Sequence, residues 1–138
     1  MTELKINIQS DYEDVVKVNL AVRDFLQKNG IEEHVQNAFD ICLTEALNNV
    51  IKHAYKEEKN KNIDVMLRRD TETIEVEIID EGEPRKNLEI PNLDFDPEDI
   101  NNLPENGMGL FIMKQLMDEL NYQRREGKNF FILKKWIY

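Results

Sequence analysis

A single α/β domain is what this sequence predicts, and three observations predict it. Strand-like and helix-like periodicities alternate along 138 residues, a length that suits one domain. Apolar residues make up 41% and charged residues 33%, the balance of a globular chain rather than a disordered or fibrous one. Of the five glycines, three sit in two short strings, Ile78-Ile79-Asp80-Glu81-Gly82 and Asn106-Gly107-Met108-Gly109-Leu110. A chain this sparing keeps glycine where backbone must approach a ligand or take a positive φ, so the placement points to a nucleotide pocket.

The elements follow in order. Residues 5–9 alternate as a first strand, with Ile6 and Ile8 on one face. Ser10 followed by Glu13 reads as a capping box; Val15, Val18, Val22, Phe25 and Leu26 then recur at helical spacing until Gly30 stops the helix. A second helix is predicted over about residues 33–55. The β-rich runs 63–69 and 73–80 flank Asp70-Thr71-Glu72 as a hairpin, and 121–125 and 130–137 form another around Glu126-Gly127-Lys128. All four prolines fall within residues 83–106, which excludes a continuous helix or strand there. So long a loop before the last 32 residues reads as a lid over a ligand rather than a linker to a second domain.

Composition narrows the function. No apolar run is long enough to span a bilayer and the first residues lack the apolar core of a secretion signal, so a cytoplasmic location without membrane contact is expected. One cysteine, Cys42, and two histidines are too few for a zinc cluster of ordinary spacing, and Cys42 within a helical pattern reads as an inert thiol. A net charge of -10 argues against direct nucleic-acid binding. It also means that a bound triphosphate would need helix N-termini, local cations and a divalent metal to offset repulsion.

The second helix can be unrolled at about 100° per residue. Phe39, Leu43, Ala46, Leu47, Val50 and Ala54 then share one face, and Glu45, Asn48, Asn49 and Lys52 the other, with Glu45 and Asn49 stacked one turn apart. Such a polar face is commonly just solvated, yet adjacent asparagines are poor helix formers for a surface chosen only for solubility. Asp80, ending a strand beside Gly82, and Gly107 and Gly109, opening an amphipathic helix of Leu110, Met113, Leu116, Met117 and Leu120, complete the pattern.

In this order the motifs resemble the GHKL class, the histidine kinase-like ATPases, and within it the anti-sigma factor serine/threonine kinases. Thr44-Glu45-Ala46-Leu47-Asn48-Asn49-Val50-Ile51-Lys52-His53-Ala54-Tyr55 is similar to the N box, Asp80-Glu81-Gly82-Glu83-Pro84 to the first glycine box, and residues 106–119 to the second. Phe95-Asp96-Pro97 resembles the lid of anti-sigma kinases. The resemblance implies a two-layer α/β sandwich of the Bergerat type, a mixed sheet with helices on one face, spanning residues 1–138 as one domain. It implies ATP and Mg²⁺ as cofactors, a homodimer, and two protein partners: a sigma factor to sequester and an anti-anti-sigma antagonist of the STAS type to phosphorylate on serine.

Carried over position by position, the resemblance makes Glu45 the general base, Asn49 the metal ligand through its amide oxygen, and Asp80 the acceptor for the adenine amino group. Gly82 leaves room for the base, and Gly107, Met108, Gly109 and Leu110 offer backbone N–H groups to phosphates. Asn48, Lys52 and His53 complete the nucleotide-binding set. Glu83-Pro84 replaces a further glycine, and Glu105-Asn106 precedes Gly107 where some active kinases carry an arginine. The first departure bears on the adenine contact. The second keeps an alternative open, a non-catalytic ATP-dependent switch of the same fold; a third reading is the detached catalytic domain of a two-component system.

Overall fold

A computed structural model describes residues 2–85 and 108–137. Five strands and three helices build it: β1 (Thr2–Gln9), α1 (Tyr12–Lys28), α2 (Glu33–Asn49) running into a π-helical turn (Val50–Ala54), β2 (Asn62–Arg69), β3 (Thr73–Asp80), α3 (Met108–Leu116), β4 (Glu119–Arg125) and β5 (Lys128–Trp136). The strands lie in the order β1-β2-β3-β5-β4. All four pairings are antiparallel, so the two-layer α/β class holds while the described sheet is not the mixed one expected. The proposed lid and Gly107 fall mostly or wholly outside the described residues.

Alternation makes the sheet one-sided. Ile63, Val65 and Leu67 of β2, Ile74, Val76 and Ile78 of β3, and Phe131 and Leu133 of β5 are buried, and they share a core with the inward stripes of the helices. From α1 come Val15, Val18, Val22 and Leu26; from α2, Phe39, Leu43, Ala46 and Leu47, the face that unrolling the helix predicts. Asp80 and Asn129 sit on the same inward parity and are buried polar groups at one end of this core.

The helix ends refine the expectations. Gly30 stops α1 as expected: at φ +70° its N–H donates to the Gln27 carbonyl and Ile31 N–H to that of Leu26, the paired closure of a Schellman motif. The start of α1 differs from the capping box read in the sequence. Asp11 is the cap, its carboxylate accepting from Glu13 N–H at 2.9 Å. Ser10 is instead buried and joins distant chain: its Oγ donates to the Glu58 carbonyl at 2.6 Å and accepts from Lys61 N–H at 2.9 Å.

Candidate functional site

The site grows from the end of α2. After Asn49 the helix widens, and Tyr55 N–H reaches the Val50 carbonyl five residues back. This turn is latched to the segment beyond β3 by two hydrogen bonds, Glu83 N–H to the Ala54 carbonyl at 2.9 Å and Glu81 N–H to the Tyr55 hydroxyl at 2.7 Å. The Tyr55 hydroxyl in turn donates to the Asn62 carbonyl. Tyr55 is buried and thus ties α2, β2 and β3 together at the point where Asp80 emerges.

Gly82 explains its own identity here. A Cβ added to it would lie 2.5 Å from the Ala54 carbonyl oxygen and 2.6 Å from its carbon, both rigid backbone. The space beside its Cα is therefore taken by the π-helical turn, and Gly82 is not among the residues that line the main cavity. It serves the site by letting the turn close onto β3.

That cavity measures about 710 Å³. Glu45, Asn48, Asn49, Lys52 and His53 line it from α2 and the π-helical turn; Asp80 from β3; and Gly109 and Leu110 from α3. Nine of the eleven sequence candidates are accounted for in this way or by the Gly82 contact. Met108 opens α3 through its backbone, and Gly107 lies outside the described residues. Lys52 and His53 are exposed, whereas Leu110 is buried.

Glu45 and Asn49 converge on the first turn of α3. A Cβ at Gly109 would meet Glu45 Oε2 at 2.6 Å and Asn49 Nδ2 at 3.6 Å, so it would push the carboxylate away from the helix start while the amide could stay in ordinary contact. A 710 Å³ space bordered by a helix N-terminus, an amide and a carboxylate has the size and donor set for a nucleoside phosphate with a hard cation.

Asp80 is 5% exposed, and named donors offset part of the cost of burying its carboxylate. Burial pushes its carboxyl above the ordinary range; a hydrogen bond from Asn129, another from Gly82 N–H and the charge of Arg124 act against that rise. Both short contacts fall on one oxygen: Asn129 Nδ2 to Oδ1 at 2.8 Å and Gly82 N–H to Oδ1 at 2.9 Å. Among the described residues no hydrogen bond falls on Oδ2, which leaves it for a ligand in the cavity.

Sequence reasoning missed Asn129, Tyr55 as a tie, and the aromatic lining of Tyr122 and Phe131, whose rings meet edge to face at 6.4 Å. Arg85, whose N–H donates to the Tyr122 hydroxyl at 2.8 Å, lines the cavity too. One signal was available for Asn129: it shares the inward parity of Phe131 and Leu133, where an amide needs a reason. Cys42 behaves as expected, buried in α2 with its thiol pushed up to about 12 by desolvation.

A one-sided antiparallel sheet under helices, with an Asp-x-Gly strand end and a glycine-led helix around one cavity, defines a nucleotide-binding module of the histidine kinase-like type. The chain belongs to that family: the model of the histidine kinase-like ATPase domain matches residues 8–135. It is similar to the serine-protein kinase RsbW of Bacillus subtilis, 27% identical over 91% of this chain and 79% of that kinase. RsbW of Bacillus mycoides is 28% identical over 91% of this chain and 78% of its own length.

Among solved structures, the RsbU and RsbW domains of Rv1364c from Mycobacterium tuberculosis superpose with a TM-score of 0.69 at 15% identity over 98% of this chain, which spans 32% of that longer protein. The SiaB–SiaC complex from Pseudomonas aeruginosa contains a chain matched at a TM-score of 0.64 and 16% identity, covering 97% of this chain and 89% of that one. These structural likenesses bear out the fold, and the family match together with the similarity to the RsbW serine-protein kinases bears out the resemblance read in the sequence. Among the described residues, no helix is long and apolar enough to cross a membrane.

Proposed function

We propose that this chain, as one cytoplasmic domain, is an anti-sigma factor that binds ATP with Mg²⁺, sequesters a sigma factor, and phosphorylates a serine on an anti-anti-sigma antagonist. The observation that carries the reading is the convergence of Glu45 and Asn49 on Gly109 inside the cavity that Asp80 also lines. Similarity to serine-protein kinases named RsbW supports the serine as acceptor.

Each residue has work its chemistry allows. Asp80 Oδ2 accepts from the adenine amino group. Asn49 turns its amide oxygen toward the metal, a hard cation that prefers oxygen. The N–H groups of the first turn of α3, with Lys52 and His53, face the phosphates. Glu45 takes the proton from the antagonist's serine hydroxyl and aims its oxygen. Bound ATP with its metal supplies the transferable phosphoryl group and neutralises its charge.

The test is to incubate the purified protein with labelled ATP, Mg²⁺ and a cognate anti-anti-sigma protein and to read phosphoserine on the latter. Transfer that vanishes when the acceptor serine is replaced by alanine is the expected result. Nucleotide binding without transfer to any cognate antagonist would instead establish the non-catalytic switch, the reading favoured by Glu105-Asn106 where some active kinases carry arginine.

A further inference from the structure

Arg124 does not line the cavity, yet it reaches Asp80 through one intermediary. Its Nη1 donates to Asn129 Oδ1 at 2.8 Å and to the Gly82 carbonyl at 3.3 Å. Asn129 is 1% exposed and passes the contact inward, its Nδ2 donating to Asp80 Oδ1 at 2.8 Å and to the Gly82 carbonyl at 3.1 Å. Guanidinium groups only donate, and carbonyls and carboxylates only accept. The amide therefore has one polarity: oxygen toward Arg124, nitrogen toward Asp80. Gly82 N–H, the second donor to Oδ1, faces the carboxylate the same way.

We propose that Arg124 is a positioning residue for base selection: by holding the Asn129 amide in this direction and placing a positive charge at its far end, it keeps Asp80 an acceptor. An acceptor there matches a purine with an amino group at C6, as in adenine, and opposes one with a carbonyl at C6, as in guanine, because two acceptors face to face leave a buried group unpaired. This rests on the nucleotide reading above and deepens it from a nucleotide pocket to a selector of 6-aminopurines over 6-oxopurines whose polarity is controlled from outside.

The groups around Asp80 single out Arg124. Asn129 and Arg124 face it from the β4–β5 hairpin, Tyr55 from the π-helical turn, and Glu81 from its own strand end. Lys52, His53, Glu83, Arg85 and Tyr122 line the same cavity. Lys56 is paired with Glu83 and Lys128 with Glu81. Among the described residues, Arg124 is the cation that opposes the upward push of burial on the Asp80 carboxyl.

The experiment measures ATP and GTP binding calorimetrically from about pH 5.5 to about pH 8, with the ATP-to-GTP ratio cancelling titration of the phosphates. The proteins are the wild type, Arg124→Met, Arg124→Lys and, as a control, Arg125→Met, whose guanidinium lies over Phe130 instead. Arg124→Met is expected to lose roughly tenfold of the ATP preference, the scale of one charge-assisted hydrogen bond. Without the cation Asp80 protonates more readily, so its ATP preference also falls off at a higher pH than in the wild type. Arg124→Lys should restore most of both, and Arg125→Met should match the wild type. Should Arg124→Met fail to fold, Arg124→Gln carries the same expectation.

An unchanged ratio and pH profile in Arg124→Met overturns the proposal. So does an equal loss of both nucleotides that lysine does not restore, which would mark a merely structural role. A wild type that binds neither nucleotide overturns the nucleotide reading itself, and this proposal with it.

Discussion

Glu45 and Asn49 stand one helical turn apart and face the same glycine, but the proposed chemistry asks different things of them. Glu45→Ala should leave ATP affinity nearly unchanged and slow serine phosphorylation by roughly 10²- to 10⁴-fold, the usual loss on removing a general base. Asn49→Ala should weaken both, because a metal ligand acts in the ground state as well as in transfer. Calorimetry alongside single-turnover phosphorylation distinguishes the two; equal phosphorylation by Glu45→Ala and wild type would remove Glu45 from the chemistry.

Asp80 sets function against stability. Its folded-state pKa is raised by burial, so between the unfolded value and that raised value the native protein holds the extra proton, and stability declines as pH rises through the window. Above the window the carboxylate is ionised and its burial is a standing cost. Asp80→Asn should therefore melt at a higher temperature than the wild type at neutral pH while binding ATP more weakly, since an amide replaces the charged acceptor. A lower melting temperature at neutral pH would show that the donors from Asn129 and Gly82 outweigh desolvation.

At the scale of elements, the contact between the π-helical turn and the end of β3 is the joint that brings Asn49 and Asp80 to one cavity. Gly82→Ala places a Cβ 2.5 Å from the Ala54 carbonyl oxygen, and neither backbone has a flexible end to yield. A destabilisation of about 1–3 kcal/mol, the usual cost of overpacking, is expected in the denaturant midpoint together with weakened nucleotide binding. The start of α1 offers a contrasting case far from this joint. Asp11→Ala removes the cap on Glu13 N–H and should cost about 0.5–2 kcal/mol without altering nucleotide affinity. If it weakens binding as strongly as Gly82→Ala does, the joint has no special claim on the site.

At the scale of the molecule, Cys42 reports on cooperative opening. It is buried in the helix layer and its pKa of about 12 leaves almost no thiolate at neutral pH. Thiol reagents should label it only through unfolding, and the labelling rate should fall when ATP and Mg²⁺ are added, since a ligand bound to the native state alone stabilises it by mass action. Rapid labelling in native buffer, indifferent to ligand, would contradict a closed helix layer.

Much of this protein was legible in one dimension because its signals are local and periodic. The inward faces of α1 and α2, the alternation of β2 and β3 and the Gly30 stop each depend on residues a few positions apart. The site candidates were legible for a second reason: glycine next to chemistry-bearing side chains is costly unless backbone must come close. The sequence by itself thus determined which faces are buried and marked eight of the residues that line the cavity. Tertiary structure alone decided their partners. That Gly82 yields space to Ala54, that Ser10 reaches Glu58 and Lys61 while Asp11 caps, and that Arg124 speaks to Asp80 through Asn129 all depend on contacts between residues distant in sequence. Periodicity assigns a side chain to a face, but a steric clash or the direction of a hydrogen bond exists only once a second segment has been brought alongside.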